Sequence, residues 1–243
     1  MMKVNINTYT HEKIPVIEYV PDKPKKLIFI NHGIYGSKDR LMHLLGMPLA
    51  KIGYHVVAID ADKHGTRSQE PFASRDEKKA NLFMFDVIKK TANDIIRLYE
   101  DKYLDAFSTF DVLGISMGGY TAYYLTLLSD QITTVIAMIS SPNFSASLKL
   151  DFAETQKKSL EEEIERVRNT VMTMDPALRP HEIRAQKIIA LNGNNDSIVP
   201  KRHTEKFFED NPEIPHIHKV FDTGHRITRT MSEYMIDELK KTV

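Results

Sequence analysis

The 243-residue chain contains no cysteine. That excludes disulfide cross-links, thiolate metal sites and a cysteine nucleophile. It has no excess of one charge: 33 lysines and arginines balance 33 aspartates and glutamates. No overall field favours a polyanion, so no nucleic-acid partner is expected. No uninterrupted apolar run approaches a membrane span, and the first residues lack a signal-peptide core, so no membrane partner is expected either. The expected setting is the cytoplasm, where the Asn-x-Ser sequences at Asn143 and Asn195 carry little meaning. No repeat, low-complexity tract or linker breaks the chain, and residues 1–243 are read as one domain.

What is present is an alternation of two patterns. Two short strands are expected at residues 3–9 and 13–20. Apolar, β-branched runs at residues 26–31, 54–60, 109–113, 132–139 and 187–192 read as buried strands, and a last strand is expected at 219–222. Between them lie segments with helical spacing at 39–52, 77–102, 120–129, 201–209 and 228–240, the first kinked or divided by Pro48. Strands apolar on both faces, alternating with helices, call for an α/β fold: a mainly parallel sheet of about eight strands covered on both sides. Residues 142–184 hold no strand, and 151–174 read as a helix with one apolar stripe and one densely charged face. This small helical insertion is a surface helix, a lid or a contact between two copies in a homodimer.

The organising stretch is Gly114-Ile115-Ser116-Met117-Gly118-Gly119. It joins an apolar strand to a segment that can run as a helix. A serine between glycines at such a junction is the nucleophile-elbow pattern. The reversal forces the serine into a strained backbone, and side chains two residues either side would collide with each other and with the incoming helix. The alternative is a glycine-rich turn holding an incidental serine.

A serine hydroxyl needs a positioned base. Of the ten histidines, His225 is best placed, just past the last strand. His203 is within a helix, His55 begins a strand, and His216 and His218 share one strand face, where they would bind a metal or line a solvated edge. The imidazole needs a carboxylate to fix its tautomer. Asp196 follows another strand end and precedes a helix, where an aspartate also serves as a turn or cap. Asp222 is the alternative acid, but stands three residues from His225. The oxyanion of an acyl-transfer intermediate needs N–H donors. The residue after the serine, Met117, supplies one, and Ile34 in the loop after the strand ending at Asn31 supplies the other. His32 is read as the imidazole that holds that loop. His64 and Arg67 follow another strand end and contact substrate or lock their own loop, the latter being favoured. Tyr35, Phe144 and Phe152 are aromatic candidates for an acyl pocket or for the core. No metal or cofactor is expected.

Taken together, His32-Gly33, the Gly114–Gly119 turn, Asp196 and Gly224-His225 resemble the α/β-hydrolase serine esterases. More narrowly, the chain is similar to small bacterial esterases related to dienelactone hydrolases and to the catalytic domain of prolyl oligopeptidases. Ser140-Ser141-Pro142-Asn143-Phe144 and His64-Gly65-Thr66-Arg67 look like that group too, and the likeness spans about residues 25–243. It implies Ser116 as nucleophile, His225 as base, Asp196 as acid, and Ile34 and Met117 as oxyanion donors. Dienelactone hydrolases use a cysteine nucleophile, which argues against that particular activity here. The expectation is a hydrolase of small-molecule carboxylic esters with small or short-chain acyl groups. A thioesterase, peptidase or acyltransferase would use the same residues, and a catalytically silent binding protein would keep the fold alone.

Overall fold

The computed structural model describes residues 3–68, 77–148 and 160–243, with side chains described from residue 83 onward in the long helix that begins at Glu77. Eight strands form one sheet: β1 (Val4–His11), β2 (Ile14–Pro21), β3 (Lys26–Asn31), β4 (Tyr54–Ile59), β5 (Phe110–Ile115), β6 (Ile132–Met138), β7 (Lys187–Gly193) and β8 (His216–Phe221). Their order is β1-β2-β4-β3-β5-β6-β7-β8. The first two strands pair antiparallel with each other, and β2 pairs antiparallel with β4. All pairings from β4 to β8 are parallel. This is the α/β-hydrolase fold with a mainly parallel sheet.

Side chains alternate across each strand, so each central strand feeds two cores. Leu27, Phe29, Val57, Val112 and Val135 face one side. Ile28, Ile30, Val56, Leu113 and Ile136 face the other. The first side is covered by α3 (Glu77–Lys102), α4 (Met117–Leu125) and α6 (Glu161–Met174), through residues such as Phe85, Ile95, Tyr123 and Val167. The second is covered by α1 (Lys38–Leu41), α2 (Met47–Lys51) and α8 (Arg229–Lys240), through Leu41, Leu49, Met231 and Met235. The described residues also form α5 (Phe144–Ser147) and α7 (Arg202–Asp210).

The segment expected as one helix over 39–52 is α1, a π turn at Met42–Gly46, then α2. Pro48 has no N–H to give to the turn before it, and the chain widens there instead. The last strand starts at His216 rather than 219, because its whole length pairs with β7.

Within the insertion, α6 buries Ile164, Val167, Val171 and Met174. Arg166 donates to Asp86 of α3 at 2.7 Å. The helix is packed on the body of the fold. Its C-terminal end is tied to α5 by Asp175, a fully buried carboxylate. Asp175 accepts from the N–H groups of Phe144, Ser145 and Ala177 at 2.8–3.0 Å and from the Ser145 hydroxyl at 2.6 Å.

A second buried carboxylate fixes the loops at the carboxyl edge of the sheet. Asp60 accepts from the Lys38 N–H (2.8 Å), the Lys38 ammonium (3.1 Å), the Thr66 N–H (3.0 Å) and the Thr66 hydroxyl (2.9 Å). Burial alone would raise the Asp60 carboxyl. The donated hydrogen bonds and the Lys38 charge outweigh it and hold the group below its ordinary value. Removing this partner leaves the Lys38 ammonium, 7% exposed, with only the exposed Asp39 carboxylate at 3.1 Å as an ion-pair partner among the described residues, and strips Thr66 of its buried acceptor. Asp60→Asn is expected to destabilise the fold by about 3 kcal/mol in urea unfolding at neutral pH.

Candidate active site

Six parallel strands share one direction, so their carboxyl ends open on one edge of the sheet. Ser116 follows β5, near the middle of that edge, and His225 follows β8. Ser116 has φ +54° and ψ −116°, a conformation L-residues rarely adopt. Its neighbours explain why the turn needs glycine. A side chain on Gly114 would meet the Gly118 carbonyl, and one on Gly118 would meet the Asn31 carbonyl. The serine therefore stands on a turn where three backbone segments touch.

Ser116 Oγ lies 2.8 Å from His225 Nε2. His225 Nδ1 lies 2.8 Å from Asp196 Oδ2. The other carboxylate oxygen, Oδ1, accepts the N–H groups of Ile198 (2.9 Å) and Val199 (2.8 Å). The Asp196 side chain has no solvent exposure, whereas the His225 side chain keeps 23%. Each oxygen of Asp196 thus has one duty: Oδ1 anchors the acid to its loop and Oδ2 accepts Nδ1–H from the imidazole. That fixes the tautomer with Nε2 unprotonated and able to accept from Ser116. Asp222, the alternative acid, accepts instead from the Asn195 side-chain amide at 3.3 Å.

Met117 is the first residue of α4, where helix geometry leaves the N–H without an intrahelical partner and the helix dipole is positive. Ile34 lies on the opposing loop. That loop is close to the serine: a Cβ on Gly33 would stand 3.5 Å from Ser116 Cβ. It is held by His32, 3% exposed. The Ala61 N–H donates to His32 Nε2 at 3.0 Å, so Nδ1 carries the proton and donates to the Gly33 carbonyl at 2.8 Å. Burial, the largest influence, holds this imidazole below its ordinary value. The unfolded chain takes up the proton first as pH falls below about 6.5, while the folded chain resists it, so stability falls with acidification. His32→Asn is expected to make the urea-unfolding free energy less steep between pH 6.5 and 5.5, by up to about 1.4 kcal/mol per pH unit.

These residues surround a cleft of about 530 Å³. Ile34, Tyr35, Ser116, Met117 and His225 line it. Tyr35, Leu44 and Ile198 stand at its rim and are half or more exposed. The structure places His64, Arg67 and Phe144 away from the lining. Arg67 donates to the Asp60 carbonyl (3.1 Å), to Asp62 (3.3 Å) and to Asp94 of α3 (2.7 Å), and His64 Nδ1 bonds the Asp62 carbonyl at 2.8 Å. Both lock their loop. Phe144 is fully buried against Phe85 and Tyr120. It belongs to the core because α5 turns it inward. Phe152 lies outside the described residues. Of the insertion, Ser147 lines the cleft among the described residues.

Met84, Tyr120, Ile139, Arg40 and Arg226 line the cleft without having been expected. Tyr120 and Met84 fall within segments of helical spacing where no sequence signal sets them apart. Ile139 has φ +47°, an uncommon conformation for a β-branched residue, and no local sequence signal announces it. Away from the cleft, His11, Glu12 and Asp101 group three ligand types, with His11 Nε2 already 2.8 Å from Asp101. His216 stacks on Phe208 at 4.0 Å and its Nδ1 bonds the Ile214 carbonyl at 2.8 Å, while His218 Nε2 bonds Asn192 Oδ1 at 3.1 Å. Both histidines of the strand pair are committed to such structural contacts.

Comparison with known proteins agrees with the fold. A curated Bacillus subtilis (strain 168) protein named "Putative esterase YitV" is 23% identical over 218 residues, covering 85% of this chain and 84% of that one. The crystal structure of TT1662 from Thermus thermophilus superposes with a TM-score of 0.80 at 23% identity, over 99% of this chain and 98% of the other. An S-formylglutathione hydrolase from Agrobacterium tumefaciens superposes with a TM-score of 0.71 at 16% identity, over 99% and 94%. At these identities the structural likenesses speak for the fold alone. The family model described as serine aminopeptidase, S33 matches residues 22–232. A match of that extent takes in every parallel strand and every loop around the cleft, and by it the chain belongs to this family of α/β hydrolases.

Proposed function

We propose that the protein is a serine esterase that cleaves carboxylic esters of small or short-chain acyl groups through an acyl-enzyme. The observation that carries this reading is the unbroken chain from Ser116 Oγ through His225 to Asp196, with both links at 2.8 Å, at the floor of an apolar cleft. His225 Nε2 takes the serine proton as Oγ attacks the carbonyl carbon. Negative charge collects on the carbonyl oxygen, and the N–H groups of Ile34 and Met117 receive it. The tetrahedral intermediate collapses, His225 gives its proton to the departing alcohol, and the acyl group stays on Ser116. A water then loses its proton to His225 and attacks the acyl carbon. The second tetrahedral intermediate collapses, His225 returns the proton to Ser116 Oγ as it leaves the acyl carbon, and the acid departs. Asp196 remains ionised throughout and stabilises the imidazolium. These steps need no metal and no cofactor.

The family description names an aminopeptidase, and relatives include a protein named for a thioester substrate. An aminopeptidase must bind the substrate's terminal ammonium, for which a carboxylate is the natural partner. Among the described residues, no aspartate or glutamate lines the cleft. That favours an ester over an N-terminal peptide. The test compares 4-nitrophenyl acetate and butyrate, an acetyl thioester and an aminoacyl 4-nitroanilide at equal concentration. The oxygen esters are expected to turn over fastest. Faster cleavage of the anilide would overturn the reading in favour of a peptidase.

A further inference from the structure

We infer that the natural substrate carries an anionic group, a carboxylate or a phosphate, on its alcohol portion, and that Arg40 and Arg226 bind it. The inference rests on the esterase reading of the same cleft. Arg40 and Arg226 both line the cleft, and both are exposed. Neither guanidinium has an ion-pair or hydrogen-bond partner among the described residues. No carboxylate of the described residues lines the cleft to offset them. The protein as a whole is neutral, so this local excess is not a by-product of a basic chain.

The two cations come from distant parts of the sequence and line the same cleft. Arg40 directly precedes Leu41, and Arg226 directly precedes Ile227. Leu41 and Ile227 pack into the same apolar cluster, on the α1 and α8 side of the sheet. Met84 and Tyr120, which line the cleft as well, belong to the cluster on the other side. The cleft thus combines apolar lining from both sides of the sheet with two cations. Arg226 also follows His225, the group that protonates the leaving alcohol. That adjacency places the anion on the alcohol rather than on the acyl group. A guanidinium presents a planar fork of donors that fits a carboxylate or a phosphate bidentately.

The test uses acetate esters that differ in charge at the alcohol: 3-acetoxybenzoate, its methyl ester, and 3-acetoxyphenyl phosphate. The wild-type protein is expected to show kcat/KM about 10- to 100-fold higher for at least one charged ester than for the neutral one. Which of the two wins separates carboxylate from phosphate. In Arg40→Gln with Arg226→Gln the ratio of charged to neutral falls to about one, and in wild type it shrinks as salt rises from 0.05 to 0.5 M. Arg168→Gln, on the outer face of α6, serves as the control and keeps the ratio. A wild-type ratio near one with good turnover of the neutral ester overturns the inference and leaves the esterase reading standing. So does a ratio that survives the double substitution. Mono-4-nitrophenyl glutarate preferred over 4-nitrophenyl valerate, with no preference at the alcohol, also overturns it. Failure to cleave any of the esters removes the esterase reading itself.

Discussion

Ser116→Ala is expected to stay folded and to hydrolyse 4-nitrophenyl acetate about 10⁴- to 10⁶-fold more slowly than wild type. The size follows from what the variant lacks. Without Oγ no acyl-enzyme forms, and His225 and the N–H groups beside Ile34 and Met117 have only water to activate. The fold survives because alanine suffers the same backbone strain at φ +54° that serine does. That strain makes a second, opposite prediction at the same position. Ser116→Gly is equally inactive but gains about 1 kcal/mol of stability in urea unfolding, since glycine adopts a positive φ without steric cost. An inactive variant that is more stable than its parent marks a residue held in place for chemistry.

Asp196→Asn is expected to cost about 10³- to 10⁴-fold in kcat while leaving the fold and KM nearly unchanged. Geometry dictates how the amide settles. The N–H groups of Ile198 and Val199 both point at Oδ1, so the amide oxygen must stay there. Its NH₂ then replaces Oδ2 and donates to His225 Nδ1. The imidazole is driven into the other tautomer, with its proton on Nε2 facing Ser116. A base that already holds the proton at that nitrogen accepts none. Asp222→Asn is the matching control and keeps activity, because Asp222 serves Asn195. Reversed outcomes for the two aspartates would reassign the acid.

Where each feature is legible in the chain depends on the range of the contacts that cause it. The elbow shows in sequence because its crowding is local: Gly114 and Gly118 must be bare, and they are four residues apart. Ser116, Asp196 and His225 show because each follows a segment that reads as a strand, and parallel strands bring their carboxyl ends together. The covering helices show in their apolar spacing. Other features depend on partners far along the chain. Asp175 clasps Phe144 and Ser145 across some thirty residues, and nothing at either end marks the pair. Asp60 holds Lys38 and Thr66, partners that the favoured loop-locking reading of His64 and Arg67 does not name. Phe144 reads equally as a pocket or a core residue, and the short α5 turns it into the core. Nothing in the sequence singles out Arg40 and Arg226, which the fold brings to the lining of the cleft.

The central claim is that Ser116 is the nucleophile. Incubation of the wild-type protein with a fluorophosphonate, followed by intact mass and peptide mapping, tests it most directly. The account predicts one phosphonyl group per chain, on Ser116, with none on Ser116→Ala and slow labelling of His225→Ala. No adduct on wild type, or equal labelling of Ser116→Ala, would contradict it.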